Sequence, residues 1–581
     1  MMPKPRTGRS YDRWRARDRE RARLQRQVTC TLVDASRPAE EPSRVRGEWF
    51  TSQITDRLAG RRRRVLKVGS MGVLRTKSVE QSIRDTEEPE HALKKELSAL
   101  DLTVFGVGVI IGTGIFVLTG VAANGTAGPA VAASFVAAAI ACGLAALCYA
   151  ELASTVPVAG SAYTFSYATL GELIAWIIGW DLALEFILAG AVVAVGWSQY
   201  FATMLETLGL ALPTAISSGE EGVFNLPAVV IVLLLTGILV FGIKLSARFN
   251  AVVVAIKVAV VLLVIVAGLF FVRASNYTPF VPPAQDAERA TGLDATVVEA
   301  IFGQAPANFG VSGIFAAAAL VFFAFIGFDI VATTAEETRN PQRDVPRGLL
   351  GSLAICTILY VAVSLVIVGM QNYQELDTEA PLAAAFVSVG QPIFANIITV
   401  GALAGLTTVM MILMLGQSRV AFAMSRDGLL PRGLSTVHPR FGTPYRITII
   451  IGVVVAILAG FIPLTELAEL VNIGTLFAFV LVSVAVVVLR RTQPDLRRSF
   501  RTPLVPLVPI LAVLSCVVLM LFLAVETWLR FLIWMAIGFV VYFLYSRKHS
   551  RLAQPDGGLT IDRRDTAAGH DSTAPRHRSQ E

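Results

Sequence analysis

The sequence predicts an all-α membrane protein of twelve transmembrane helices, and three observations predict it. Hydrophobic residues are 54% of the 581 and charged residues only 16%, too few charges to cover a soluble protein of this size. Apolar runs of the length that crosses a hydrocarbon core recur from residue 99 to residue 546. The loops between those runs alternate in charge, as the loops of a multi-pass chain do.

The runs fall at 99–121, 128–154, 171–204, 224–242, 250–273, 311–338, 348–370, 382–424, 444–462, 465–489, 504–525 and 528–546, and are called spans 1 to 12. Spans 3 and 8 are too long for a perpendicular crossing and are expected to tilt or project into water. Pro227, Pro381 and Pro444 sit near span starts, where a missing N–H does little harm. One set of alternate loops carries 15 basic residues, Lys244, Arg248, Arg339, Arg343, Arg347, Arg419, Arg426, Arg432, Arg440, Arg446, Arg490, Arg491, Arg497, Arg498 and Arg501. The opposite set carries three, Arg273, Arg289 and Arg530, and collects Glu206, Glu220, Glu221, Asp286, Glu288, Glu375, Asp377 and Glu379. Both termini are therefore expected in the cytoplasm.

The formal net charge of +7 is not spread along the chain. Residues 1–70 hold 17 Arg and 2 Lys against 8 acidic residues, a net of +11, and residues 71–581 have a net of −4. The body thus offers no case for nucleic acid as a partner. Segment 1–70 lacks the apolar stretch of a signal peptide and reads as a disordered Arg-rich extension, with Met71 the expected start. Residues 71–98 form a cytoplasmic lead-in, 99–489 the core, 504–546 two added helices, and 547–581 a disordered cytoplasmic tail.

Enzyme chemistry finds no support. The five cysteines form no CxxC pair and the five histidines all lie outside the apolar runs, so neither a disulfide framework nor a zinc site is indicated. There is no serine elbow or phosphate loop. No cofactor and no metal are expected.

Two spans carry a local break instead. Span 1 reads Val109-Ile110-Ile111-Gly112-Thr113-Gly114-Ile115-Phe116 and span 6 reads Phe323-Ala324-Phe325-Ile326-Gly327-Phe328-Asp329. The breaks are five helices apart, at matching positions of residues 99–273 and 311–489. A lone GxG in a span ordinarily means close helix packing. Paired breaks favour unwinding, which is tolerated beside a protein-lined cavity. Freed N–H groups at the start of the outer half of span 1 would suit a carboxylate. Freed carbonyls in both breaks would accept from an ammonium. Together they read an α-amino acid.

Charges inside the spans are few. Lys257 lies seven residues past Asn250, about 10 Å along the helix and too deep for easy snorkelling. The chain has eight lysines against 42 arginines, and lysine, unlike arginine, can lose its proton when buried. Lys257 is therefore the candidate for proton coupling. Asp181 and Glu185 share a helix face; Glu185 is the deeper and joins Lys257 as a candidate. Asp329 is expected to cap the helix after the span 6 break, and Glu151 to pair with a cytoplasmic Arg. The mixed-sign run 336–344 could form salt bridges at an inner gate.

The stretch Gly106 to Gly120, "CYAELASTVPVAGSAYTFSYATLGELIAWIIGWDLALEF" (148–186), "FFAFIGFDIVATTAEETRNPQRDVP" (322–346) and "QSRVAFAMSRDGLLP" (417–431) closely resemble the bacterial cationic amino acid transporter branch of the amino acid–polyamine–organocation superfamily. The resemblance covers about 79–546. It implies a five-plus-five inverted-repeat core with helices 1 and 6 broken at midplane, helices 11 and 12 added, and alternating access with proton coupling. By the resemblance, Thr113, Gly114 and nearby Ile110 match carboxylate and amino contacts. Phe323, Ala324, Phe325 and Ile326 match the carbonyl-bearing segment, and Phe328 the aromatic gate. Lys257 takes the place of a sodium ion of sodium-coupled relatives, and Glu185 matches an acidic position near substrate and gate. Ile111, Gly112, Ile115 and Gly327 complete the expected substrate-binding set.

The expected activity is secondary active import of an amino acid with protons across the plasma membrane. The expected partners are the amino acid, the proton and the lipid bilayer, with a small single-span accessory subunit as an optional one. An exchanger, a polyamine or cationic carrier and a non-transporting sensor stay open. The backbone site would accept any α-amino acid, and alanine-like or broad neutral specificity is as compatible as cationic.

Overall fold

The computed structural model describes residues 97–155, 161–210, 212–217, 224–242, 247–286, 292–303, 307–496 and 498–553. The extension 1–70, nearly all of the lead-in, residues 554–581 and the loop residues Glu220, Glu221, Lys244, Glu288, Arg289 and Arg497 lie outside the described residues.

Helix occupies every apolar run. The first half of the chain forms α1 (Ala99–Ile110), α2 (Val131–Thr155), α3 (Ser161–Thr169), α4 (Glu172–Thr207), α5 (Leu226–Val240) and α6 (Ala247–Gly268). The second forms α7 (Gly310–Val321), α8 (Pro341–Met370), α9 (Pro381–Ser388), α10 (Pro392–Arg426), α11 (Tyr445–Phe461), α12 (Leu464–Thr492), α13 (Leu507–Leu521) and α14 (Val525–Val541). Among the described residues, eight helical stretches are long and apolar enough to cross a membrane; α1, α5, α11 and α13 are shorter apolar helices. Among the described residues the strand content is one two-residue antiparallel ladder, Gln285–Asp286 against Ala307–Asn308.

Local chemistry sets the ends. Ser98 caps α1 in a reciprocal box with Asp101. Asn225 caps α5, accepting from the Ala228 N–H. Pro341, Pro381 and Pro392 stand at the first turns of their helices, where their fixed φ suits the helix. Span 8 is not one long tilted helix. It is divided between α9 and α10 at Gly390, whose φ is +77°, a conformation that costs glycine little. The helix α3 was not anticipated. Nor does the chain become irregular at 547: α14 runs on through a π-helical turn, Tyr542–Ser546, and Ser550 is fully buried.

Small residues let the helices approach. A Cβ at Gly348 would come within 2.5 Å of Leu102, and one at Gly106 within 2.5 Å of Ser352, so α1 lies backbone-close on α8. Large apolar side chains such as Val230, Leu234, Leu532 and Ile533 remain exposed, as expected of faces turned to lipid.

The end of α2 is fastened by charge, as expected for Glu151. Its carboxylate has no exposed area and accepts from Arg490 Nη2 at 2.7 Å, Arg490 Nε at 3.0 Å and the Thr502 N–H at 2.7 Å. Arg498 Nε adds an ion pair at 3.3 Å. Removing one partner of a buried ion pair costs about 3–5 kcal/mol. Glu151→Ala is therefore expected to lower the melting temperature in detergent clearly. Arg491→Ala, at an exposed position beside Arg490 at the end of α12, should leave it nearly unchanged.

Candidate substrate site

Span 1 unwinds where its sequence turns to Gly-Thr-Gly. α1 ends at Ile110, and Ile111 is extended with φ −70° and ψ 95°. Helix resumes beyond Gly112 as a π-helical turn, Gly114–Leu118. Span 6 unwinds similarly. After α7 comes a 3-10 turn, Phe322–Phe325, then extended Ile326 and Gly327 at φ +107°. Helix returns over Ile330–Thr333.

The two breaks lie against each other. A Cβ at Gly114 would sit 2.3 Å from the Ala324 Cα, and one at Gly327 would sit 2.6 Å from Val109 Cγ1. A Cβ at Gly196 of α4 would sit 2.7 Å from Thr113 Cγ2. Real Cβ contacts are longer, so these three positions admit only glycine without displacement.

Breaking a helix orphans its backbone groups, and polar side chains of neighbouring helices collect several of them. Tyr360 of α8 donates to the Ile110 carbonyl at 2.7 Å. Lys257 Nζ of α6 donates to the Gly108 carbonyl at 2.6 Å and stands 3.4 Å from that of Ile111. Tyr200 of α4 donates to the Phe116 carbonyl at 2.8 Å, and Asn472 of α12 to those of Ala319 and Leu320 at 2.8 and 3.1 Å. The amides of Gly112, Thr113 and Gly114 begin the second helical segment of span 1, with no preceding turn to supply acceptors. Thr113 Oγ1 is buried and without a hydrogen-bond partner.

A cavity of about 20 Å³ lies between the breaks, room for about one water. Val109, Ile110, Gly112, Thr113 and Gly114 line it from span 1, Phe323 and Ile326 from span 6, Ala189 and Val193 from α4, and Val409 and Leu413 from α10. No charged side chain is in this lining.

Of the expected binding residues, Ile110, Gly112, Thr113, Gly114, Phe323 and Ile326 reach the cavity wall. Ile111, Ile115, Ala324, Phe325 and Gly327 are buried behind it and shape the breaks. Phe328, the expected gate, packs edge-on to Tyr149 at 6.3 Å and against Phe479 at 5.1 Å. Lys257 lies behind the span 1 break. Glu185 sits one helical turn from Ala189, near Asp329, Asp181 and Thr475. Neither oxygen of Asp181 or Asp329 has a hydrogen-bond partner, nor does Glu185 Oε1. Asp329 thus holds the N-cap position without capping. Sequence reasoning missed Tyr360 and Asn472, which were visible only as isolated polar residues in apolar runs.

Segments that flank the breaks pair with each other on both sides of the cavity. On the side of the Arg-rich loops, Leu97 pairs with the segment after span 6, its N–H donating to Glu337 O at 3.0 Å and its carbonyl accepting from the Arg339 N–H at 2.9 Å. Glu337 and Arg419 stand 3.9 Å apart. At the other end the Phe309 N–H donates to Thr126 O at 2.8 Å, and Asn124 Nδ2 to Leu376 O at 3.0 Å.

A bundle of apolar helices enclosing a backbone-lined cavity between two broken helices defines a membrane transporter. The chain belongs to the amino acid permease family of the amino acid–polyamine–organocation superfamily, whose model matches residues 97–544. It is a multi-pass membrane protein and a transporter, not an enzyme. It is 51% identical to the branched-chain amino acid permease BcaP of Bacillus subtilis, over 83% of this chain and 99% of that protein. It is 49% identical to the methylthioribose transporter of the same organism, over 79% of this chain and 95% of that protein. It is 39% identical to the vacuolar cationic amino acid transporter 4 of Arabidopsis thaliana, over 73% of this chain and 68% of that protein.

The contact between the breaks can be tested directly. Gly114→Ala forces a methyl into the Ala324 backbone, and overpacking of this kind costs about 1–3 kcal/mol. The variant is expected to lose substrate-induced thermal stabilisation. Gly125→Ala, where nothing lies within 4 Å of the new Cβ, should keep it.

Proposed function

We propose that the chain is a secondary active, proton-coupled importer of neutral amino acids with apolar side chains, working by alternating access across the cell membrane. In this reading twelve spans cross the bilayer with both termini in the cytoplasm. Residues 99–273 and 311–489 form inverted repeats, with α13 and α14 added outside the core. The observation that carries the reading is the cavity between the breaks, polar only at backbone groups and Thr113 and apolar on its α4 and α10 walls. Amides at 112–114 suit a carboxylate, and carbonyls of the 323–326 segment suit an ammonium. Ala189, Val193, Val409 and Leu413 would face the side chain, and none of them could pair with a guanidinium or a second ammonium. The cavity is smaller than any amino acid, so binding requires the breaks or walls to part, as alternating access supposes. The relative named for branched-chain amino acids supports the same class.

Lys257 is the proposed coupling residue. Its ammonium spans two carbonyls of the inner half of span 1; loss of its proton would loosen that half-helix and link its position to proton movement. Glu185, beside Asp329, is the second proposed coupling group. The relative named for methylthioribose supports a second reading, a neutral sulfur-bearing solute held by the same apolar walls. A carboxylate is absent from that compound, so the 112–114 amides would then be unused.

Uptake into proteoliposomes distinguishes these readings. Leucine, isoleucine, valine and alanine are expected to compete for uptake, while arginine and lysine are not. Competition by methylthioribose alone would select the second reading. Lys257→Met is expected to reduce gradient-driven uptake to the level of empty vesicles while the protein still elutes as a monodisperse peak. Undiminished uptake by that variant would refute the coupling role.

A further inference from the structure

The chain past α14 is built into the protein. Ser546 and Ser550 are both fully buried. Ser546 Oγ donates to Leu429 O at 2.7 Å, and the Arg551 N–H donates to Asp427 O at 3.0 Å. Both acceptors lie just beyond α10. Gly428 between them has φ +80°, and a Cβ there would come within 2.3 Å of His549 O. The turn after α10 is therefore shaped to let the C-terminal segment pass.

The segment ends on one carboxylate. Ser550 Oγ donates to Glu172 Oε2 at 2.6 Å and Tyr542 O–H to Glu172 Oε1 at 3.2 Å, with the Tyr167 hydroxyl 3.5 Å from Oε2. Glu172 opens α4, where the helix dipole favours a negative charge. Hydroxyls from α3, α14 and the C-terminal segment thus meet on one acceptor.

What this knot holds is α3. Tyr163 donates to Asp427 Oδ2 at 2.8 Å, and Tyr163 and Tyr167 stack at 5.9 Å. On the other side of α3, Phe165 meets Tyr149 edge-on at 6.1 Å, and the Ala162 N–H donates to the Tyr149 hydroxyl at 3.1 Å. Tyr149 in turn meets Phe328, the first aromatic residue past the span 6 break, at 6.3 Å. Contacts therefore run unbroken from the C-terminal segment through α3 to the break.

We propose that residues 546–551 form a strap across the inner gate. Glu172, Ser546 and Ser550 act as positioning residues that press α3 against Tyr149 and Phe328, and release of the strap frees the inner end to open. The inference rests on the alternating-access reading above. It makes the C-terminal segment a control point for transport, far in sequence from the substrate.

Thiol labelling of a cysteine placed on α3 tests it. Ala162 is fully buried, and Ala162→Cys in full-length protein with Cys30→Ser gives one new thiol, the other four cysteines being buried. Ser550→Ala is expected to raise its labelling rate about tenfold, the order of effect of one lost hydrogen bond to a charged acceptor. Ser550→Asp, which sets a second carboxylate against Glu172, should raise it further. Ser550→Thr, keeping the hydroxyl, should restore the slow rate. Labelling equal in the alanine and threonine variants, or unchanged in all three, overturns the proposal. So does faster labelling that only tracks a lower melting temperature. If the aspartate variant does not fold, the alanine–threonine pair decides alone. Labelling needs no substrate, so a failure here leaves the substrate reading standing, and a failed substrate screen leaves this measurement intact.

Discussion

The contact on which the rest of this structure depends is glycine against the opposite break, Gly114 against the Ala324 backbone and Gly327 against the Val109 side chain. The two helices can break side by side because at each contact one partner is a glycine with no side chain to displace the other. Once they break, buried carbonyls lose their partners, and each unpaired one in an apolar setting costs several kcal/mol. The surrounding helices are committed to meeting that demand. α4 supplies Tyr200, α6 supplies Lys257, α8 supplies Tyr360 and α12 supplies Asn472. These four polar residues are therefore not scattered exceptions to the core's hydrophobicity. They follow from the two breaks.

Charge in the interior is arranged unevenly around the same point. The ammonium of Lys257 is held by carbonyls of span 1. The carboxylates Asp181, Glu185 and Asp329 lie beside α12 and beyond the span 6 break, and most of their oxygens make no hydrogen bond. An unpaired polar group buried in an apolar setting costs free energy. Glu151 shows the opposite case, a buried carboxylate with two arginines and a backbone amide around it. The contrast separates a fastening carboxylate from three whose partners are not fixed.

Sequence exposed the breaks because Gly-Thr-Gly and Ile-Gly interrupt runs otherwise rich in branched residues. It exposed Lys257 because lysine is scarce in this chain. It could not expose Tyr360 or Asn472 as partners, since one polar residue in an apolar run says nothing about which neighbour it faces. Helix α3 is only nine residues long and carries no apolar run. Ser546 and Ser550 sit among Arg, Lys and His, so composition reads as a solvated tail while the hydroxyls are buried. In each miss a tertiary contact decided the outcome, and local pattern carries no record of it.

The proposed recognition through main-chain atoms has an evolutionary consequence. A point mutation changes a side chain and leaves N–H and C=O groups in place, so the part of the cavity suited to the common portion of a cargo is shielded from most substitutions. The walls at Ala189, Val193, Val409 and Leu413 have no such protection, and none of the four carries a hydrogen bond of the breaks. Selectivity can therefore drift by single steps in the walls while the framework persists. A lineage of such proteins would diversify in what it carries much faster than in how it is built.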